Sequence, residues 1–187
     1  MKTYVVLLRG VNVGGKNIIS MAELRTALEA LGFTNVASYI ASGNLILDSE
    51  LSAANTQAAV QGLLADKFGV DLDSARALVL TQRHLAEVVS KRPRGFGDEP
   101  GKFHSDVVFL IGLAPAEAIR VFQPLEGVDT VWPGRAVIYS QRLSAMRTKS
   151  RLNRIMGTPE YRAMTIRNWN TTVKLRELLK RRSADNA

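Results

Sequence analysis

The residues most able to do chemistry stand between Leu8 and Asn17, in the order Leu-Arg-Gly-Val-Asn-Val-Gly-Gly-Lys-Asn. Gly10, four intervening residues, then Gly15-Lys16 approach the spacing of a loop that cradles nucleotide phosphates after a strand. The last position departs from that pattern, because Asn17 has no hydroxyl to offer a magnesium ion. A helix that opens only after Ser20 also starts too late for its first amides to reach a phosphate beside Lys16. Hydrolysis of ATP or GTP is therefore not expected. A looser chemistry remains, in which the amides of Gly14 and Gly15 form a concavity for an anion, completed by Arg9, Asn12, Lys16 and Asn17. The alternative is a glycine turn whose polar side chains satisfy the loop's own backbone. Both readings stay open at this point.

Two further stretches carry polar groups in a pattern. Tyr39-Ile-Ala-Ser-Gly-Asn44 is mainly hairpin chemistry, with Ser42 and Asn44 as secondary ligand candidates. Thr165-Ile-Arg-Asn-Trp-Asn-Thr-Thr-Val-Lys-Leu175 reads as a helix opening, Thr165 being its N-cap. Arg167 and Asn168, near that helix start, would either meet an anion or tie the helix to a loop, Arg167 being suited to a bidentate contact, and Lys174 is a further ligand candidate. The expectation is a single mouth formed by the glycine loop and this helix start, with Lys16 and Arg167 on one anionic ligand.

Composition narrows the remaining chemistry. The 187 residues include no cysteine, which excludes a disulfide framework, a thiolate nucleophile and a cysteine-bearing zinc site. His84 and His104 have no carboxylate at a suggestive spacing in this reading, and both are expected to be surface or structural groups. Asp98 and Glu99 stand in a glycine-rich stretch that leaves carboxylates solvated. No catalytic set, metal or cofactor is expected, although Lys16 would serve as a base if buried. The net charge is +8, yet between Arg142 and Arg182 twelve lysines and arginines face only Glu160 and Glu177. A region of +10 on a slightly acidic remainder suits a nucleic acid or another acidic partner, the alternative being a solvated face. No run approaches membrane-spanning length and the first residues do not form a signal peptide, so a cytoplasmic protein with no membrane partner is expected. Oligomeric state is left open.

The elements that position these residues follow from patterning. Thr3 to Arg9 reads as a buried strand, and Ser20-x-x-Glu23 as a capping box opening a helix at Met21 that closes at Gly32. Strands at Val36–Ile40 and Asn44–Asp48 form a hairpin, followed by a helix over Ala53–Phe68, a strand over Arg76–Thr81 and a helix over Gln82–Lys91. Pro93, Gly95, Gly97, Pro100 and Gly101 mark 92–103 as a linker between a first half, 1–91, and a second, 104–182, with 183–187 as a disordered tail. The second half repeats the order with a strand over Asp106–Ile111, a helix from Pro115, strands at Val128–Trp132 and Ala136–Ser140, a short helix over Ser150–Met156 and a long one over Ile166–Arg182. The fold class is α+β, with two ferredoxin-like βαββα halves related by internal duplication.

Taken together, Leu8–Asn17, Tyr39–Asn44 and Thr165–Leu175 resemble the uncharacterised bacterial family known as domain of unknown function 1697. The resemblance spans nearly the whole chain and implies an α+β fold of two related halves. It carries over no activity, cofactor or catalytic residue. Arg151 stands where that family is expected to have lysine, and Ala41 where glutamine is more usual.

Overall fold

The structure is a computed structural model describing residues 1–15, 17–40 and 43–185. Each half holds a four-stranded antiparallel sheet, and the two sheets have the same strand order. By packing, the chain divides into two compact units, one of Met1–Leu85 with the residues from Leu175 onward, the other of Ala86–Lys174.

In the first unit β1 (Lys2–Arg9) leads to α1 (Met21–Ala30), β2 (Thr34–Tyr39), β3 (Asn44–Ser49), α2 (Ala53–Phe68) and β4 (Arg76–Thr81), in sheet order β2-β3-β1-β4. β1 and β3 are the central strands and are buried on both faces. Tyr4, Val6 and Leu8 join Leu45, Leu47, Leu24, Leu28, Val60 and Leu64 in a core beneath the two helices. Ser20 caps α1 by accepting a hydrogen bond from the Glu23 amide, and Ser52 does the same for α2 from Asn55. Gly69, left-handed at φ 61°, closes α2.

α3 (Gln82–Ser90) leads into a segment read above as a linker, and here it is fastened to the second sheet. Phe96 is fully buried, with its ring edge-on to Trp132, Tyr139 and Trp169 at centroid distances of 6.0, 5.0 and 5.2 Å. The Gly97 amide donates to Gln141 Oε1 at 3.1 Å, and a Cβ at Gly97 would collide with the Trp169 indole. Glycine and proline permit the turns, while one phenylalanine supplies the anchor.

The second unit continues with β5 (Phe103–Leu110), α4 (Pro115–Ala118), a 3₁₀ turn over Ile119–Val121, β6 (Asp129–Pro133), β7 (Val137–Leu143), further 3₁₀ turns, β8 (Met164–Asn168) and α5 (Trp169–Asp185). Its sheet order is β6-β7-β5-β8. Val108, Leu110, Phe122, Ile138, Leu152, Ile155 and Met164 form its core on the face toward the short helical turns.

Three expectations are corrected. Thr165 is not a helix N-cap, because Met164–Asn168 is a fourth strand paired to β5, and the helix opens at Trp169. The cap lies three residues later, where Asn168 Oδ1 accepts from the Asn170 amide at 3.0 Å. The β-branched Thr165 and Ile166 satisfy a ladder at no cost to the helix that follows. At the other end α5 runs on to Asp185, into residues expected to form a tail. The short helix expected over Ser150–Met156 is a 3₁₀ turn, Leu152–Gly157.

Candidate functional site

The β1–α1 connection lies where β1 ends, and its geometry explains why the sequence spaces its residues as it does. Gly10, at φ 69°, is held by space as well as torsion, since a Cβ there would lie 2.2 Å from the Ser74 carbonyl oxygen. Asn12 and Asn17 both adopt left-handed backbone, at φ 55° and 47°, which asparagine tolerates better than most residues. Their side chains are spent on the loop itself. Asn12 Nδ2 donates to the Ile19 carbonyl at 3.0 Å while its Oδ1 accepts from the Ile19 amide at 2.7 Å. Asn17 Nδ2 donates to the Gly10 carbonyl at 2.9 Å, and the Asn12 amide donates to the Asn17 carbonyl at 3.1 Å. Arg9 Nη1 donates to the Ser74 carbonyl at 2.7 Å. Three of the expected ligand-binding side chains therefore brace the loop.

The crown inside this frame is different. Gly14 and Gly15 are exposed and left-handed at φ 61° and 75°, and a Cβ at either would meet nothing within 4 Å. Lys16 and Ser42, both expected site residues, lie outside the described residues. Asn44 is fully buried and donates to the Tyr39 carbonyl at 3.2 Å, so it closes the hairpin. That hairpin end sits beside the loop, because the Leu8 amide donates to the Gly43 carbonyl at 2.7 Å and a Cβ at Gly43 would press on Leu8.

The model of the family described as protein of unknown function (DUF1697) matches residues 1–139, which contain this loop, the hairpin and the whole first sheet. The chain belongs to the DUF1697 family. Among solved structures it is similar to the conserved bacterial protein SP0830 from Streptococcus pneumoniae, at 27% identity and a TM-score of 0.79, over 95% of this chain and 98% of that one. No curated protein matches it. Among the described residues of this DUF1697 protein, no helix is long and apolar enough to cross a membrane.

The remaining expected residues of the DUF1697 chain lie in the second unit or on α5. Arg167 is on β8 and not at a helix start, as a correction to the reading above, and it is 8% exposed. Its Nη1 donates to Thr165 Oγ1 at 3.0 Å and to the Ile166 carbonyl at 2.8 Å, and burial lowers its pKa to about 10. Asn168 Nδ2 donates to the Ser105 carbonyl at 3.3 Å, filling the place of the next ladder bond where β8 stops. With its Oδ1 capping α5, Asn168 is a structural joint. Lys174 is half-buried on α5. Of the two residues expected to share one mouth, Arg167 is bound within its own sheet and Lys16 lies outside the described residues.

One group escaped the sequence reading. His104 and Asp106 are two residues apart on β5, so they share a face, and Arg142 of β7 stands directly opposite His104. His104 Nε2 lies 3.1 Å from Asp106 Oδ2, and Arg142 Nη2 lies 3.8 Å from the same oxygen. Burial pushes the Asp106 carboxyl up, while His104 and then Arg142 pull it back. The missed signal was the spacing His-x-Asp, which means little until β5 is known to begin at Phe103 and not at Asp106.

Proposed function

We propose that the crown of the β1–α1 loop binds a phosphate- or carboxylate-bearing ligand in the cytoplasm, through the Gly14 and Gly15 amides and Lys16. The observation that carries this reading is a comparison inside the molecule. The same crossover in the second unit takes residues 111–114, four in all, between β5 and α4, whereas the first takes residues 10–20, eleven in all, between β1 and α1. Four residues are thus enough for this topology, and connections of about 4 to 6 residues are the rule. The extra length is also braced, with two asparagines and an arginine holding its base while two bare glycines stand at its top. Backbone amides fixed in a turn are ready donors to an anion and need little reorganisation to bind one.

A nucleic-acid role finds less support. Sheets that read RNA stack bases on open aromatic rings. In the second unit Phe96, Tyr139 and Trp169 are 0%, 2% and 6% exposed, with Phe96 packed edge-to-face against the other two. That role rests on the basic C-terminal region alone.

The test is a thermal-shift series with inorganic phosphate, pyrophosphate, citrate and a mixed-sequence oligonucleotide, on the wild type, Lys16→Ala and a variant carrying residues 111–114 in place of 10–20. Ligand at about 100 times its Kd stabilises by about 2.7 kcal/mol. Selective stabilisation of the wild type by a small anion, lost in both variants, is the expected result. Equal shifts in all three proteins, or a response to the oligonucleotide alone, would overturn the reading.

A further inference from the structure

A hollow of about 170 Å³ opens in the second unit, lined by Gly97 and Pro100, by Phe103, His104 and Ser105 at the start of β5, and by Asn168, Trp169 and Asn170 where β8 turns into α5. It exists because the β5–β8 ladder ends at Asp106–Asn168, leaving Phe103–Ser105 paired only to β7 on their other side. At roughly 30 Å³ per water, it has room for about five or six water molecules, or a small organic molecule of that size.

The group at its lip has the layout of an oriented acid–base residue. The side chain of His104 is 44% exposed and that of Asp106 is 15% exposed, with their atoms 3.1 Å apart. The carboxylate is held from behind by Arg142, whose other amino group, Nη1, donates to Asn153 Oδ1 at 3.4 Å. With Nε2–H donated to Asp106, the ring nitrogen left for a molecule in the hollow is Nδ1, an acceptor in the neutral imidazole. Next to the start of this strand Lys102 and Glu99 pair with each other at 3.3 Å, while Arg167 of β8 stands opposite Val107 and Asp129 of β6 opposite Arg142. Two of the hollow's other polar side chains are already engaged: Asn168 is used at both ends, and Ser105 Oγ donates to Gln141 Oε1 at 2.8 Å.

We propose that this hollow is a second site, separate from the glycine loop, in which His104 Nδ1 accepts a hydrogen bond from the hydroxyl of a small alcohol or hydroxy acid while Asp106 positions the ring. His104 is the residue that touches the ligand, and Asp106 is a positioning residue. A carboxylate that orients a histidine in this way is the arrangement that general-base catalysis uses.

The test is side-chain ¹⁵N spectroscopy of the full chain, which contains only two histidines, so that His84 is an internal control. Ethylene glycol and glycolate are the probes, with acetate as the anion lacking a hydroxyl. We expect His104 Nδ1 to be unprotonated and to shift saturably with a hydroxylated probe, while His84 stays still and acetate has little effect. A response to glycolate alone would assign a hydroxy acid, and a response to both an alcohol. Asp106→Ala should weaken the response at least tenfold. If that variant does not fold, Asn170→Trp on the exposed rim should fill the hollow and abolish the response while leaving the His104 tautomer unchanged. A proton resting on Nδ1, equal shifts at both histidines, an acetate response as large as that of glycolate, or a response that survives Asn170→Trp would each overturn the proposal.

Discussion

The two sheets share one strand order but place different chemistry on it. In the first, the fourth strand offers Leu78 and Leu80 opposite Leu7 and Val5, while in the second the corresponding rungs set Thr165 and Arg167 opposite Phe109 and Val107. The first unit extends its first crossover to eleven residues and braces it, whereas the second closes that crossover in four and keeps its polar cluster at the opposite end of its first strand. Duplication thus preserved topology and hydrophobic pattern, which the core demands. The loop and the buried polar positions were free to diverge, and those are where each unit differs from what folding alone requires.

The sharpest way to break this comparison is at the fourth strand. Arg167→Ala should cost about 3 kcal/mol, because it leaves the Thr165 hydroxyl and the Ile166 carbonyl without their donor, at about 1 to 3 kcal/mol for each buried group left unsatisfied. Leu80→Ala in the first unit removes only apolar contact and should fall in the range of about 2 to 5 kcal/mol. Urea denaturation of both variants checks this. If Arg167→Ala is neutral, the polar rung of the second unit is incidental.

Next in size is the contrast between equivalent glycines. Gly10→Ala drives a Cβ to 2.2 Å from the Ser74 oxygen at φ 69°, and roughly 3 kcal/mol should be lost. Gly112→Ala, at φ 70° with nothing within 4 Å, should lose only about 1 kcal/mol of torsional strain. Equal costs, measured by thermal unfolding, would mean that torsion alone governs both loops. Two structural asparagines, one in each unit, come below that. Asn12→Ala gives up both bonds to Ile19 and should cost about 2 kcal/mol, while Asn168→Ala gives up a cap and one strand-end bond for about 1 to 2 kcal/mol.

The smallest contrast is in alkali. Burial raises the Tyr139 phenol from 10.0 to about 12, and its hydroxyl donates to the Val88 carbonyl at 2.7 Å. A folded-state pKa above the unfolded one gives stability that is complete below pH 10 and is lost as pH rises toward about 12. Tyr139→Phe should therefore flatten that part of the pH–stability curve. Tyr4, also raised by burial and bonded to the Leu51 carbonyl, is the matching group in the first unit. If Tyr4→Phe flattens the curve more than Tyr139→Phe, the two sites rank in the opposite order.

Much of this architecture can be read from residue pattern. α1, α2 and β4 begin where capping serines and β-branched runs say they should, and the glycine hairpin of β2–β3 follows from its connection length. β8 was hidden because Thr165 and Asn168 are both plausible caps, and only pairing with β5, far away in sequence, decides that Asn168 is the one. In the glycine loop it is the loop's own conformation that separates bracing from binding. Nothing in Asn12 or Asn17 as residue types reveals that their amides face Ile19 and Gly10. The His104–Asp106 pair needs only the strand's phase, but an error of three residues in where β5 begins was enough to conceal it.

The first unit also has a consequence for how the chain is made. Leu175 and Leu179, each 1% exposed, belong to it, and Arg182 donates to the carbonyls of Asn35 and Ile46. These residues leave the ribosome about ninety positions after Leu85, a delay of roughly 5 to 20 s at about 5 to 20 residues per second. For that interval the nascent first unit lacks the helix that covers part of it, while every residue of the second unit is synthesised. The order of synthesis therefore reverses the order of completion: the unit that starts first finishes last.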